Sequence, residues 1–163
     1  MRTLGRAAHR AALFVVVLAM LAANLVHPAS AMRRETLKLM TAQGEHTINV
    51  EITETAEEKA TGLMFRSKLA DKDGMLFFYD QPQEITMWMR NTYIPLDMVF
   101  IRADGVVHRI EARTEPLSEA IVASRGAVVA CLELAGGAAG RLGLKAGDRI
   151  VHRLFASAKP AKK

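Results

Sequence analysis

A single cysteine among 163 residues means that the chain cannot close an internal disulfide and must be held together by burial. In an oxidising compartment a lone thiol persists most easily when buried. Cys131 sits in the apolar run Ala127–Leu132, which reads as an interior strand, so a buried, inert thiol is expected. Several chemical signatures are also missing. There is no Gly-x-Ser-x-Gly elbow, no Walker or Rossmann glycine spacing and no local partner signal beside Ser67, Ser118 or Ser124. His46, His108 and His152 are isolated and lack the spacing of a zinc site. No cofactor and no metal is implied, and no internal repeat suggests a solenoid.

Charge of one sign is scarce in the body of the chain. The 22 Lys and Arg outnumber the 17 Asp and Glu only because of the ends. Arg2, Arg6 and Arg10 precede the apolar run Ala11–Val26, and Lys159, Lys162 and Lys163 lie in the tail. Subtracting those six cations leaves one fewer cation than acids, so the basic isoelectric point does not reflect a basic face. Nucleic-acid binding, which needs clustered cations facing phosphates, loses its main support.

Residues 1–31 carry the three parts of a secretory signal: the arginines, the apolar run, and Ala29-Ser30-Ala31 as a small-x-small cleavage site. Cleavage after Ala31 is expected. The apolar run, interrupted by Asn24, is shorter than the roughly 20 residues of a membrane span, so no stable span is expected after cleavage. The mature chain is then periplasmic or extracellular. It comprises a single domain over 32–155 and a basic, disordered tail over 156–163.

Strand signals dominate the domain. Leu37 and Leu39 alternate with polar neighbours, and Ile48, Val50 and Ile52 do so after the Gln43-Gly44 turn, which predicts a hairpin. Thr55-Ala56-Glu57-Glu58 matches a capping box, and the short helix it opens should stop at Gly62. Strands are expected at Met75–Tyr79, broken by Gln81-Pro82, and at Ile85–Met89. The Asp104-Gly105 turn should join Leu96–Arg102 to Val106–Ala112, and Ala127–Leu134 and Ile150–Leu154 complete the set. Eight or so short strands and one clear helix suggest a mainly β (α+β) fold, a compact β-barrel-like or rolled antiparallel sheet. Met75–Phe78, Asp97–Ile101 and Val128–Leu134 are apolar on both faces and therefore need a covering layer.

The densest region is Gly62–Phe100, with the only tryptophan, five methionines, four phenylalanines and both tyrosines. Met87 and Met89 share a strand face, and thioethers suit Cu(I). Methionine in apolar surroundings is more often packing, however, and that is the reading taken. Polar residues set among these apolar ones are clasps or a site, because unpaired polar groups are costly to bury. The candidate ligand or clasp residues are Arg66, Trp88, Asn91, Thr92, Asp97 and Glu133, with no catalytic role assigned. Asp97 and Glu133 lie on apolar strand faces, where ion pairing to Arg66, Arg90 or Arg125 is expected.

The segments Gly62-Leu63-Met64-Phe65-Arg66, Gly74-Met75-Leu76-Phe77, Trp88-Met89-x-Asn91-Thr92-x-Ile94-Pro95-Leu96-Asp97-Met98 and Phe100-Ile101 occur in order. They are followed by Asp104-Gly105, Leu132-Glu133-Leu134-x-Gly136-Gly137 and Gly143-Leu144-Lys145-x-Gly147-Asp148. Taken together, these segments resemble the domain of unknown function 192 family from about Leu37 to Leu154. The last of them also looks like the turn and strand of a PDZ domain, but the order of elements required for one is absent. The resemblance implies a compact β-barrel-like fold with little helix, often placed after a signal peptide, and brings no activity or cofactor with it. Three readings of function stand. The first is an exported, non-enzymatic binding or accessory module for a small polar ligand, peptide or glycan. The second is a hydrolase-type envelope enzyme using Asp97 or Glu133 as acid or base, and the third is a purely structural or interaction protein.

Overall fold

The computed structural model describes residues 32–157. The signal sequence read at 1–31 and most of the basic tail, 158–163, lie outside the described residues. The elements are β1 Arg33–Thr41, β2 Gly44–Thr53, α1 Ala56–Thr61, β3 Asp73–Met87, β4 Leu96–Ile101, β5 Val107–Thr114, β6 Val122–Ala135, α2 Ala138–Arg141, β7 Arg149–Val151 and α3 Arg153–Ser157. One mixed sheet runs in the order β5-β4-β6-β3-β2-β1-β7. Among the described residues only β2 and β3 pair in parallel, with α1 and the chain to residue 72 serving as their crossover. The sheet curls until its edges meet. Val106 bridges Arg149, Val107 N–H donates to Asp148 O (2.8 Å) and Ile150 N–H donates to Gly105 O (2.8 Å). Part of the edge backbone is thereby paired, as in a barrel.

The two faces of the sheet explain the sequence pattern. Leu37, Leu39, Ile48, Val50 and Ile52 face inward and pack with Leu76, Val99, Ile101, Leu132 and Ile150, while the intervening residues of β1 and β2 are mostly exposed. All six residues of β4 are buried. Its Val99 and Ile101 join the inner cluster, whereas Leu96, Met98 and Phe100 join a second, outer cluster with Met75, Phe77, Val128 and Cys131. The expected covering layer consists of loops rather than helices: Leu63 and Met89 enter the outer cluster from the segments that follow α1 and β3. Cys131 is fully buried there, and burial pushes its thiol well above its ordinary value.

Local chemistry sets the boundaries. Thr55 and Glu58 form the full reciprocal capping box, and α1 ends at Gly62 (φ +49). Pro82 does not break β3. The strand continues through it at a register shift between Phe78 and Gln83, where a ladder N–H is not required. The last strand is shorter than expected, Arg149–Val151, and Arg153–Ser157 is helical.

Gly105 fixes the closure of the sheet. It lies at φ +78, and a β-carbon on it would meet Ile150 O at 2.6 Å. Gly105→Ala is predicted to destabilise by about 1–3 kcal/mol through strain at this turn, read as a lower urea midpoint. Gly140→Ala, in open space within α2, should leave the midpoint unchanged or raise it.

Candidate functional site

Asp97 points inward from β4 and is completely buried. Its Oδ1 accepts from the backbone N–H of Arg113 (2.8 Å) and of Gly137 (2.8 Å), and its Oδ2 accepts from that of Ala139 (2.9 Å). The cation pairing expected for this residue is therefore replaced by backbone donors from two separate segments. Such charge-assisted bonds satisfy a buried carboxylate without a counter-ion. The oxygens are committed to structure, and the geometry gives no support to Asp97 as an acid or base.

Arg66 pairs with neither strand carboxylate. Its guanidinium forks onto Glu51, with Nη1 3.3 Å from Oε1 and Nη2 2.5 Å from Oε2, and Arg34 reaches the same carboxylate at 2.7 Å. Burial, the largest single influence, pushes the Glu51 carboxyl up, yet the bonds and charges of Arg66 and Arg34 together hold it below its ordinary value. This cluster edges a cleft of about 420 Å³ that includes Leu63, Lys68 and Asp73.

Trp88, Asn91 and Thr92 lie on a rim of three segments. Phe65 N–H donates to Asn91 O (2.8 Å), Leu117 N–H to Thr92 O (3.1 Å) and Met89 N–H to Ser118 O (3.0 Å). Thr92 is buried and its hydroxyl donates to Arg90 O (3.3 Å), so it acts as a clasp. The Arg90 guanidinium stacks 4.4 Å from the centre of the Trp88 ring and is held by Glu119 at 3.1 Å. Neither Arg90 nor Arg125 meets Asp97 or Glu133 in an ion pair.

Apart from Trp88, sequence reasoning missed the apolar side chains that this rim presents. Phe65, Trp88, Tyr93, Leu117 and Ile121 are between 41 % and 62 % exposed. Phe65 and Tyr93 meet edge to face, with ring centres 6.1 Å apart. Phe65 and Leu117 both sit at φ +63, a left-handed backbone that bulky residues rarely adopt. Their composition looks like core; only the tertiary arrangement turns them outward.

Glu133 differs from all of these. It is 4 % exposed and, among the described residues, has no hydrogen-bond or cationic partner. Cross-strand register places it on the outer face in the row Glu51, Met75, Glu133, Met98, Glu111. Burial between the two methionines raises its carboxyl to about 8. Tyr79 is also raised, by burial first and then by the charges of Cys131 and Glu133. The expected ion pair is absent here too, and this carboxyl keeps its proton at neutral pH. Among the described residues, no three His, Cys, Asp or Glu side chains gather as a metal-binding group.

Two outcomes follow from this contrast. Asp97→Ala leaves three N–H groups without their acceptor and should cost about 3–5 kcal/mol in urea unfolding. Glu133 acts with the opposite sign. Its folded value of about 8 exceeds the free value of 4.5, so the folded state binds the extra proton between them and stability falls as pH rises through that window. Glu133→Gln should remove this slope and be more stable than the parent above pH 8, by on the order of a few kcal/mol, measured as thermal midpoint against pH.

Comparison with known proteins places this geometry in context. The family model of DUF192, described as Uncharacterized ACR, matches residues 38–152. A crystal structure from Sinorhizobium meliloti 1021, provisionally described as a transcription regulator, is 41% identical with a TM-score of 0.72, covering 74% of this chain and 95% of that one. A protein of unknown function from Novosphingobium aromaticivorans DSM 12444 is 40% identical with a TM-score of 0.73, covering 78% of this chain and 91% of its own. The search of curated proteins found no match. With most of its length matched by the family model and the barrel-like fold in place, this chain belongs to the DUF192 family.

Proposed function

We propose that this protein is an exported binding module of the cell envelope, and that its rim holds an apolar segment of a peptide or partner protein. The observation that carries this reading is the outward presentation of Phe65, Tyr93, Leu117 and Ile121 on hydrogen-bonded loops. Two of these residues, Phe65 and Leu117, occupy left-handed backbone, a strain that persists at functional surfaces when surrounding structure enforces it. Aromatic anchors with neighbouring aliphatic side chains suit apolar peptide groups, whereas a sugar needs donors and acceptors for its hydroxyls beside a flat ring. Export rests on the signal pattern of residues 1–31. Transcription regulation, the description of the Sinorhizobium meliloti protein, is not carried over: the mature chain without its tail has one fewer cation than acids, which gives little electrostatic support to DNA binding.

A second reading has its own observation. Glu133 holds a proton at neutral pH and has no partner among the described residues, the condition of a general acid. In that reading a hydrolase-type reaction would require a route from solvent to this carboxyl.

The two readings separate in one experiment. The purified mature protein is probed with a peptide array and a glycan array, with Trp88 fluorescence as the solution readout. Binding of apolar peptides should weaken at least tenfold in the Phe65→Ser/Leu117→Ser variant, with the thermal midpoint retained, and should be indifferent to Glu133→Gln. Selective glycan binding, or peptide binding unchanged in the double variant, would overturn the rim proposal. Turnover abolished by Glu133→Gln would install the enzyme reading instead.

A further inference from the structure

The second feature that stands outside this rim is a pair of like charges held together. Gly137 precedes α2 at φ +83, and the space where a β-carbon would stand lies 2.6 Å from Arg113 Nη2 and 2.8 Å from Arg141 Nη1. Both guanidinium groups therefore rest over the same bare glycine. Arg141 is anchored from behind: its Nε and Nη2 bind the two oxygens of Asp71 at 2.9 and 2.6 Å, and its Nη1 donates to Gly136 O at 3.4 Å. Arg113 is anchored through its backbone, at φ +51, where its N–H donates to Asp97. The Arg113 guanidinium meets no acid in an ion pair among the described residues.

Asp71 offsets one of the two charges, and the oxygens of Asp97 are filled by backbone donors. Asp97 still acts on Arg141 as a negative charge, so the two acids balance the two cations. The Arg113 guanidinium donors nevertheless meet no acceptor among the described residues and stand beside Arg141 Nη1, both side chains open to solvent. We propose that Arg113 and Arg141 form an oxyanion site, taking the carboxylate or phosphate group of a ligand across Arg113 Nη2 and Arg141 Nη1. Guanidinium forks match such groups in shape, and a bridging anion turns the repulsion between the two cations into two charge-assisted bonds. Glycine at 137 is part of the site, because any side chain there would collide with both guanidinium groups. The site is independent of the apolar rim: it uses none of the rim's side chains.

The test is an NMR titration of the ¹⁵N-labelled mature protein at low ionic strength, with inorganic phosphate and acetate as probes and chloride as the control for screening. Saturable, concerted shifts of the Arg113 and Arg141 Nε–H signals and of the Gly137 amide are expected. Phosphate alone would identify a phosphoryl ligand, and acetate as well would identify a carboxylate. Arg113→Gln should weaken the binding at least tenfold without lowering the thermal midpoint, since its backbone bond to Asp97 remains. Shifts that chloride reproduces, that fail to saturate, or that persist in Arg113→Gln would overturn the site.

Discussion

Three backbone N–H groups, from Arg113, Gly137 and Ala139, converge on the carboxylate of Asp97. A charge in the wall of a barrel is tolerable only when its oxygens are occupied, and here the occupants are the chain itself. The consequences spread through one end of the molecule. The bond to Arg113 holds the end of β5 beside β4. The bonds to Gly137 and Ala139 seat the turn that opens α2, and Ala138 and Ala139 then seal the inner cluster. Gly136 approaches Pro95 so closely that its N–H donates to Pro95 O at 2.8 Å, while a β-carbon on it would meet the Pro95 ring at 2.8 Å. The rim loop that ends at Pro95 is thus set against the segment that Asp97 positions.

The second constraint is that Gly74–Phe77 of β3, all of β4 and Val128–Leu134 of β6 are buried on both faces. An inner face is covered once the sheet curls, but the outer face of a barrel normally meets water. Here it is roofed by the segments after α1 and after β3, which contribute Leu63 and Met89. Short loops that must cover a flat apolar surface have few conformations available. The left-handed residues Phe65, Asn91 and Leu117 all lie in the rim segments, each tied to another segment by a backbone bond. Cover and display are two sides of one arrangement: chain that turns Leu63 and Met89 inward turns Phe65 and Trp88 outward.

Features governed by neighbours in sequence were legible. The hairpin of β1 and β2, the capping box of Thr55 and Glu58, the buried Cys131 and the clasping of loop backbone at Thr92 all follow from local chemistry. The need for a cover over β3, β4 and β6 was also readable, because no alternation relieved their apolar runs. What escaped depended on partners distant in sequence. Pro82 looked like a strand end, yet a register shift accommodates it. The parallel pairing of β2 with β3 has no local signature. Asp97 and Glu133 looked alike, two acids among apolar residues, and nothing nearby revealed that one meets three amides and the other none. Exposure of Phe65 and Leu117 was hidden for the same reason, since composition records what a residue is and not which way a strained loop turns it.

Asp97 and Glu133 are almost neighbours in space, and their difference is the most informative contrast in the site. Asp97 is paired across the ladder with Leu134, and Met98 with Glu133, so the two acids sit one residue apart in register on opposite faces of the same wall. The inward one finds the amides of a turn; the outward one lies in line with Met75 and Met98, whose thioethers are at best weak acceptors and cannot replace water. Desolvation therefore settles its state: it is held as a neutral acid to about pH 8, and a neutral carboxyl is far cheaper to bury than an ionised one. The outer cluster can consequently close over Glu133 at neutral pH with a hydroxyl rather than a charge at its centre. The roof of the barrel therefore loses stability as pH rises from 4.5 towards about 8, whereas the inner wall is fastened by an acid whose oxygens are occupied by backbone amides.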